Sequence, residues 1–162
     1  MHAVLLLLAT LPMQSVDRAP DIVASIEPAE LPTSARTAIK AAVPGMRIVG
    51  IERKEREGRI YLDVEGTRPD GQEVELDLLA EGGNWRVVEI QRDIAWSAVP
   101  EPVRRAVASS GHTIEPVRVI ESRQTDSTIV FELFAAKDPS RPSLEVRLTN
   151  SGAEILREVW PH

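Results

Sequence analysis

The feature that most restricts how this chain can fold is that part of it is written twice. Leu31-Pro32-Thr33-Ser34-Ala35-Arg36-Thr37-Ala38-Ile39 aligns with Val99-Pro100-Glu101-Pro102-Val103-Arg104-Arg105-Ala106-Val107 at an offset of 68 residues. Self-similarity at this period implies two copies of one supersecondary unit. In both copies apolar residues fall at i, i+4, i+7 and i+8, which is the stripe of a short helix. Proline near the start suits a first turn whose N–H groups have no intrahelical partner. Pro44-Gly45 and Gly111 supply the stops.

Each helix is followed by alternating runs at an offset of 69 to 70. The first set is Arg47 to Lys54, Arg59 to Glu65, Glu73 to Leu79 and Trp85 to Ile90. The second is Val117 to Ser122, Thr128 to Phe134, Leu144 to Thr149 and Glu154 to Val159. The gaps hold turn chemistry such as Glu57-Gly58, Pro69-Asp70-Gly71 and Gly82-Gly83, and they are too short for parallel crossovers. The predicted fold is α+β: two tandem helix-plus-four-stranded antiparallel meanders, with the helices on one face of the sheet. In Glu73-Val74-Glu75-Leu76-Asp77-Leu78 the carboxylates and the apolar residues take opposite faces, as one-sided burial demands. A unit of this size buries only about 60% of its unfolded surface, so two units sharing an interface are expected. Ile94-Ala95-Trp96 lies at their joint, where a large aromatic fills the gap.

The first unit is placed at residues 31–93 and the second at 94–162, after a leader at 1–19 and a tether at 20–30. Ala3 to Met13 is an apolar run of signal-peptide length, short of the roughly 20 residues that span a bilayer. Val16 to Glu30 carries two prolines and four acids, the composition of a tether. These features point to export, to the periplasm or the medium, and to no stable membrane span. The 162 residues contain no cysteine, which removes thiol catalysis, disulfides and Cys-ligated zinc. A net charge of −6 disfavours nucleic acid as a partner.

The run Leu31-Pro32, Ala35, Ala38-Ile39, Val43-Pro44-Gly45, Ile48, Ile51-Glu52, Gly58-Arg59-Ile60-Tyr61, Val64-Glu65 and Glu73-Val74-Glu75-Leu76-Asp77 resembles the PepSY-like, or β-lactamase-inhibitor-like, domains of bacterial envelope proteins. The tandem arrangement is similar to that of the β-lactamase inhibitor protein, whose two helix-plus-sheet repeats offer a concave sheet face to a partner. The likeness covers most of residues 31–160 and is stronger in the first half. It implies an exported, non-catalytic binding domain, and transfers no site residues, because fold likeness alone does not carry a site.

Catalytic chemistry finds little footing. His112 is the one histidine away from the chain ends, and it follows Ser109-Ser110-Gly111 at a helix terminus, where the helix dipole accounts for it. No nucleophile elbow, phosphate loop or His-Glu-x-x-His is present. Glu73, Glu75 and Asp77, with Asp63 and Glu65 beside them, raise calcium binding. Residues two apart on a strand point in parallel, however, so the group reads as a solvated acidic face and neither metal nor cofactor is expected. What remains is a partner-binding surface. Tyr61, Asp63, Glu65, Glu75 and Trp85 are assigned to it, with the aromatics as anchors and the charges as rim. The expectation is a module that binds an unidentified protein and regulates or inhibits an envelope enzyme. Its rivals are a small-ligand carrier or structural domain with a pocket between helices and sheet, and an enzyme of cystatin-like architecture.

Overall fold

The computed structural model describes residues 22–157, so the leader expected at 1–19, Trp160 and the end of the second unit lie outside the described residues. Helices form where the apolar stripes predict them, α1 at Thr33–Ala42 and α2 at Glu101–Ser109, each entered from a proline, Pro32 and Pro100. Past their ends Gly45 and Gly111 both adopt a φ of 77°, the left-handed conformation that closes a helix at little steric cost to glycine.

The strands are β1 (Ile22–Ser25), β2 (Arg47–Arg56), β3 (Arg59–Thr67), β4 (Glu73–Glu81), β5 (Asn84–Asp93), β6 (Pro116–Gln124), β7 (Ile129–Ala135), β8 (Leu144–Thr149) and β9 (Gly152–Ile155). They form one antiparallel sheet in chain order. The α+β class therefore holds, with sheet predominating and four strands after each helix. Two corrections follow. The strands belong to one continuous nine-stranded sheet, and residues 22–30 are not a tether. Ile22 to Ser25 pair with Glu55 to Glu52, and a 3-10 turn at Pro28–Glu30 leads into α1. Four residues with a single alternation carry too little pattern to announce a strand whose partner lies about thirty residues away.

The ladders align more closely than the sequences do. Ile22↔Glu55 and Ser25↔Glu52 recur as Ile90↔Arg123 and Asp93↔Ile120, an offset of 68. Likewise Leu78↔Val87 recurs as Val146↔Ile155. The first half of β5 thus stands to β4 as β9 stands to β8, and its second half stands to β6 as β1 stands to β2. Only β7 runs at an offset of 69, as Ile51↔Val64 becomes Val119↔Leu133. The matched arginines do the same work in both halves: Arg36 Nη2 donates to the Ala29 carbonyl at 3.0 Å and Arg104 Nη1 to the Ser97 carbonyl at 3.0 Å, tying each helix to the 3-10 turn before it.

Side chains paired across a ladder share a face, so the row Ile51, Val64, Leu76, Ile90 marks the side on which α1 packs. The same face carries Val119, Leu133 and Leu144 beneath α2. Both helices therefore cover one face, over two separate apolar clusters. Arg92, Glu121 and Arg123 stand between the clusters: Glu121 is buried and accepts hydrogen bonds from Arg92 Nε at 3.0 Å and Arg123 Nε at 2.6 Å. Trp96 packs on the second cluster alone, so the place between the halves where an aromatic was expected is taken by the charged trio. Phe131 is buried there too, while Phe134 faces the other way with the Arg118 guanidinium 5.3 Å from its ring centre.

Candidate functional site

No helix among the described residues covers the opposite face of the sheet, and alternation delivers the polar side chains to it. Tyr61, Asp63 and Glu65 on β3 pair with Leu79, Asp77 and Glu75 on β4, and the row continues to Glu89 and Gln91 on β5. Four of the five residues assigned from the sequence, Tyr61, Asp63, Glu65 and Glu75, therefore share this open face. Trp85 does not: it packs against the cluster under α1. The reason is a β-bulge. Asp77 pairs with Glu89 but Leu78 pairs with Val87, so Val88 is an extra residue in β5. One inserted residue reverses the alternation and carries Trp85 to the covered side.

Asp63, Glu75 and Asp77 come together, each contributing a carboxylate oxygen within 4.8 Å of the other two. This corrects the reading of a merely solvated acidic face. Glu75 and Asp77 do point in parallel along β4, but the β3–β4 register sets Asp63 directly against Asp77 and closes the triangle. Asp63 is 8% exposed, and its Oδ2 accepts a hydrogen bond from Lys54 Nζ on β2.

Crowding like charges away from water sets the protonation. Burial and the neighbouring Asp63 and Asp77 push Glu75 up to about 8. Burial, with the charges of Asp63 and Glu89, pushes Asp77 up to about 7. Burial would raise Asp63 as well, but hydrogen bonds from Glu75 and Lys54 hold it below the usual carboxylate range. Lys54 is raised, because its carboxylate neighbours outweigh its own desolvation. At neutral pH the group is thus one ionised carboxylate, two carboxyls that hold protons readily, and an ammonium. It can accept a positive charge or share a proton.

The open face is hollowed. A cavity of about 250 Å³ is lined from five successive strands, by Val49, Glu65, Glu75, Gln91 and Arg118 among others. A smaller one of about 90 Å³ adjoins it over Lys54, Tyr61, Asp63, Glu75, Asp77 and Gln91. Val49 projects at the rim because β2 bulges between Ile48 and Gly50, and β6 bulges at Val117 in the same way. These two valines are 60% and 61% exposed.

In the second half Glu132 pairs with Glu145 where Asp63 pairs with Asp77, so a buried acidic pair recurs on this face. Where the first half has Lys54 and Glu75, the second has Ser122 and Ser143. Ser122 Oγ donates to Glu89, which also accepts from Gln91 Nε2 at 3.0 Å. His112 is exposed beyond α2, its backbone N–H donating to Ser110 Oγ at 3.2 Å. Lys54, Asp77 and Gln91 are site residues that the sequence reading did not assign. Their alternation parity was visible, but their meeting depends on register. No protein-family model matches this chain, and comparison with curated proteins finds no significant match.

Proposed function

We propose that this chain is a non-catalytic, exported binding module that receives a protein partner on the open face of its sheet, and so regulates or inhibits an envelope enzyme. The observation that carries this reading is the hollow lined from five consecutive strands on the face the helices leave uncovered, with Tyr61 and Glu65 beside it. A rigid sheet bearing an amphipathic aromatic within a charged rim is the anatomy of a recognition surface. Glu52, Glu65 and Glu73 line the hollows of the first half with acid, so the partner is expected to present lysine or arginine there. The duplicated ladder registers support a tandem repeat, and with it the resemblance to PepSY-like and β-lactamase-inhibitor-like domains.

A small-ligand carrier with its pocket between helices and sheet has less support. Ile39, Leu62, Val64 and Leu76 are buried in one cluster there, and the cavities described above open on the opposite face. The test is affinity capture from native envelope extract with the full chain and with a Tyr61→Ala/Glu65→Lys variant whose circular dichroism and melting are unchanged. A partner enriched by the natural chain and lost by the variant is the expected result. Equal recovery by both would remove the open face as the binding surface.

A further inference from the structure

On the open face the second half fills a place that the first half leaves empty. Beside the bulge of β6, Arg118 pairs across the ladder with Phe134; beside the matching bulge of β2, Gly50 pairs with Glu65. We propose that this place is a socket for an arginine of the protein partner, presented on a loop with an apolar residue beside it. The proposal rests on the open face being the binding surface and names what the partner brings to it.

Three observations carry this. The first is an internal template. Arg118 holds its guanidinium 5.3 Å from the centre of the Phe134 ring and donates from Nε to Asp93 Oδ1 at 2.9 Å. The counterparts of Arg118, Phe134 and Asp93 in the first half are Gly50, Glu65 and Ser25, at offsets of 68, 69 and 68. Each trio contains one carboxylate, but only the second contains a cation to answer it. The second observation is charge. Glu65 pairs with no cation among the described residues. The hollow above it, of about 470 Å³, is lined by Ser25, Gly50, Glu52 and Glu65 among others, and its one lining cation, Lys54, is engaged by Asp63 and Glu52. A planar guanidinium can take both oxygens of such a carboxylate, whereas an ammonium meets it as a point charge. The third is the rim. Val49, the bulged residue, is 60% exposed and lines the same hollow, and its counterpart Val117 is 61% exposed. Bulges re-aim side chains, and this one holds an apolar group at the edge of the socket, where an apolar neighbour of the incoming arginine meets it.

Gly50 keeps the socket open. A Cβ there would stand 3.3 Å from Glu65 Oε2, so a side chain at this position crowds the carboxylate that receives the partner.

The test uses the full chain, isotope-labelled, and a blocked pentapeptide with arginine between two leucines, followed by NMR shift titration beside counterparts with lysine or citrulline at the centre. The expected result is saturable shifts gathered on Ser25, Val49, Gly50 and Glu65, tightest for arginine, weaker for lysine and absent for citrulline. Binding should weaken roughly tenfold or more in Glu65→Gln, as loss of a charge-assisted pair does, and in Gly50→Arg, which supplies the socket with its own guanidinium. It should stay unchanged in Glu101→Gln on α2, on the covered side of the sheet. Glu65 is exposed, so Glu65→Gln is expected to melt with the natural chain, and lost binding is not confused with lost folding. Absence of saturable shifts up to about 10 mM overturns the proposal. Equal binding of the lysine or citrulline peptide overturns it too, as does binding that persists in Glu65→Gln or Gly50→Arg. Capture from envelope extract separates the socket from the reading beneath it. A partner lost with Tyr61→Ala/Glu65→Lys but still held by Gly50→Arg overturns the socket and leaves the open face as the binding surface.

Discussion

At the scale of single residues, two kinds of acid pull stability in opposite directions with pH. Glu75 and Asp77 have folded pKa values raised to about 8 and about 7, so between roughly pH 4 and 8 the folded chain holds protons that the unfolded chain has released. Their contribution therefore declines as pH rises through that window. Asp63 and Glu121 are held below their usual values, Glu121 because Arg123 and Arg92 outweigh its burial. Their contribution is complete above the ordinary carboxylate range and is lost as pH falls through their folded values. A stability maximum in mildly acidic solution follows. The charged groups facing Glu75 and Asp77 are Lys54, Asp63 and Glu89. Glu75→Gln should flatten the alkaline side, gaining on the order of 1 kcal/mol at pH 8 after allowance for solvent screening and nothing at pH 4. Chemical denaturation across pH checks this, and a variant whose pH profile parallels the natural one would contradict the assignment. Much of this cluster was legible residue by residue, since alternation put Asp63, Glu65 and Glu75 on the polar side. The register that brings Asp63 onto Asp77 was not, because it depends on the ladder that a five-residue turn, Arg68 to Gln72, delivers.

At the scale of elements, amphipathic stripes and turn residues announced the helices and hairpins with little ambiguity. The bulges stayed hidden. One surplus residue leaves composition and propensity unchanged but inverts every side chain beyond it, which is how Trp85 came to be expected on the wrong face. β1 was missed for a related reason, since its stability comes from the exposed edge of β2 and not from its own four residues. The bulge in β2 also explains a glycine. A Cβ on Gly66 would lie 2.5 Å from the Arg47 carbonyl oxygen and equally close to Met46, where the two strands draw together beside Val49. Gly66→Ala should cost about 1–3 kcal/mol, as overpacking does. A urea midpoint unmoved by the substitution would show that the strands separate there without penalty.

At the scale of the whole molecule, the two apolar clusters are divided by the Arg92–Glu121–Arg123 seam, yet the sheet beneath them is unbroken. Leu76→Ala in the first cluster and Phe131→Ala in the second should each cost about 2–5 kcal/mol. Both should lower a single shared transition, with Trp85 and Trp96 reporting from the two sides. Two separated transitions would mean that the halves fold independently. The cause of the expected unity is β5, whose ten residues complete one unit and begin the next. Where most two-part proteins keep a hinge, this one keeps a run of ladder hydrogen bonds. The spacing between the acidic cluster of the first half and the Glu132–Glu145 pair of the second is therefore fixed like the jaws of a gauge, and a molecule that grips both must come already cut to that span.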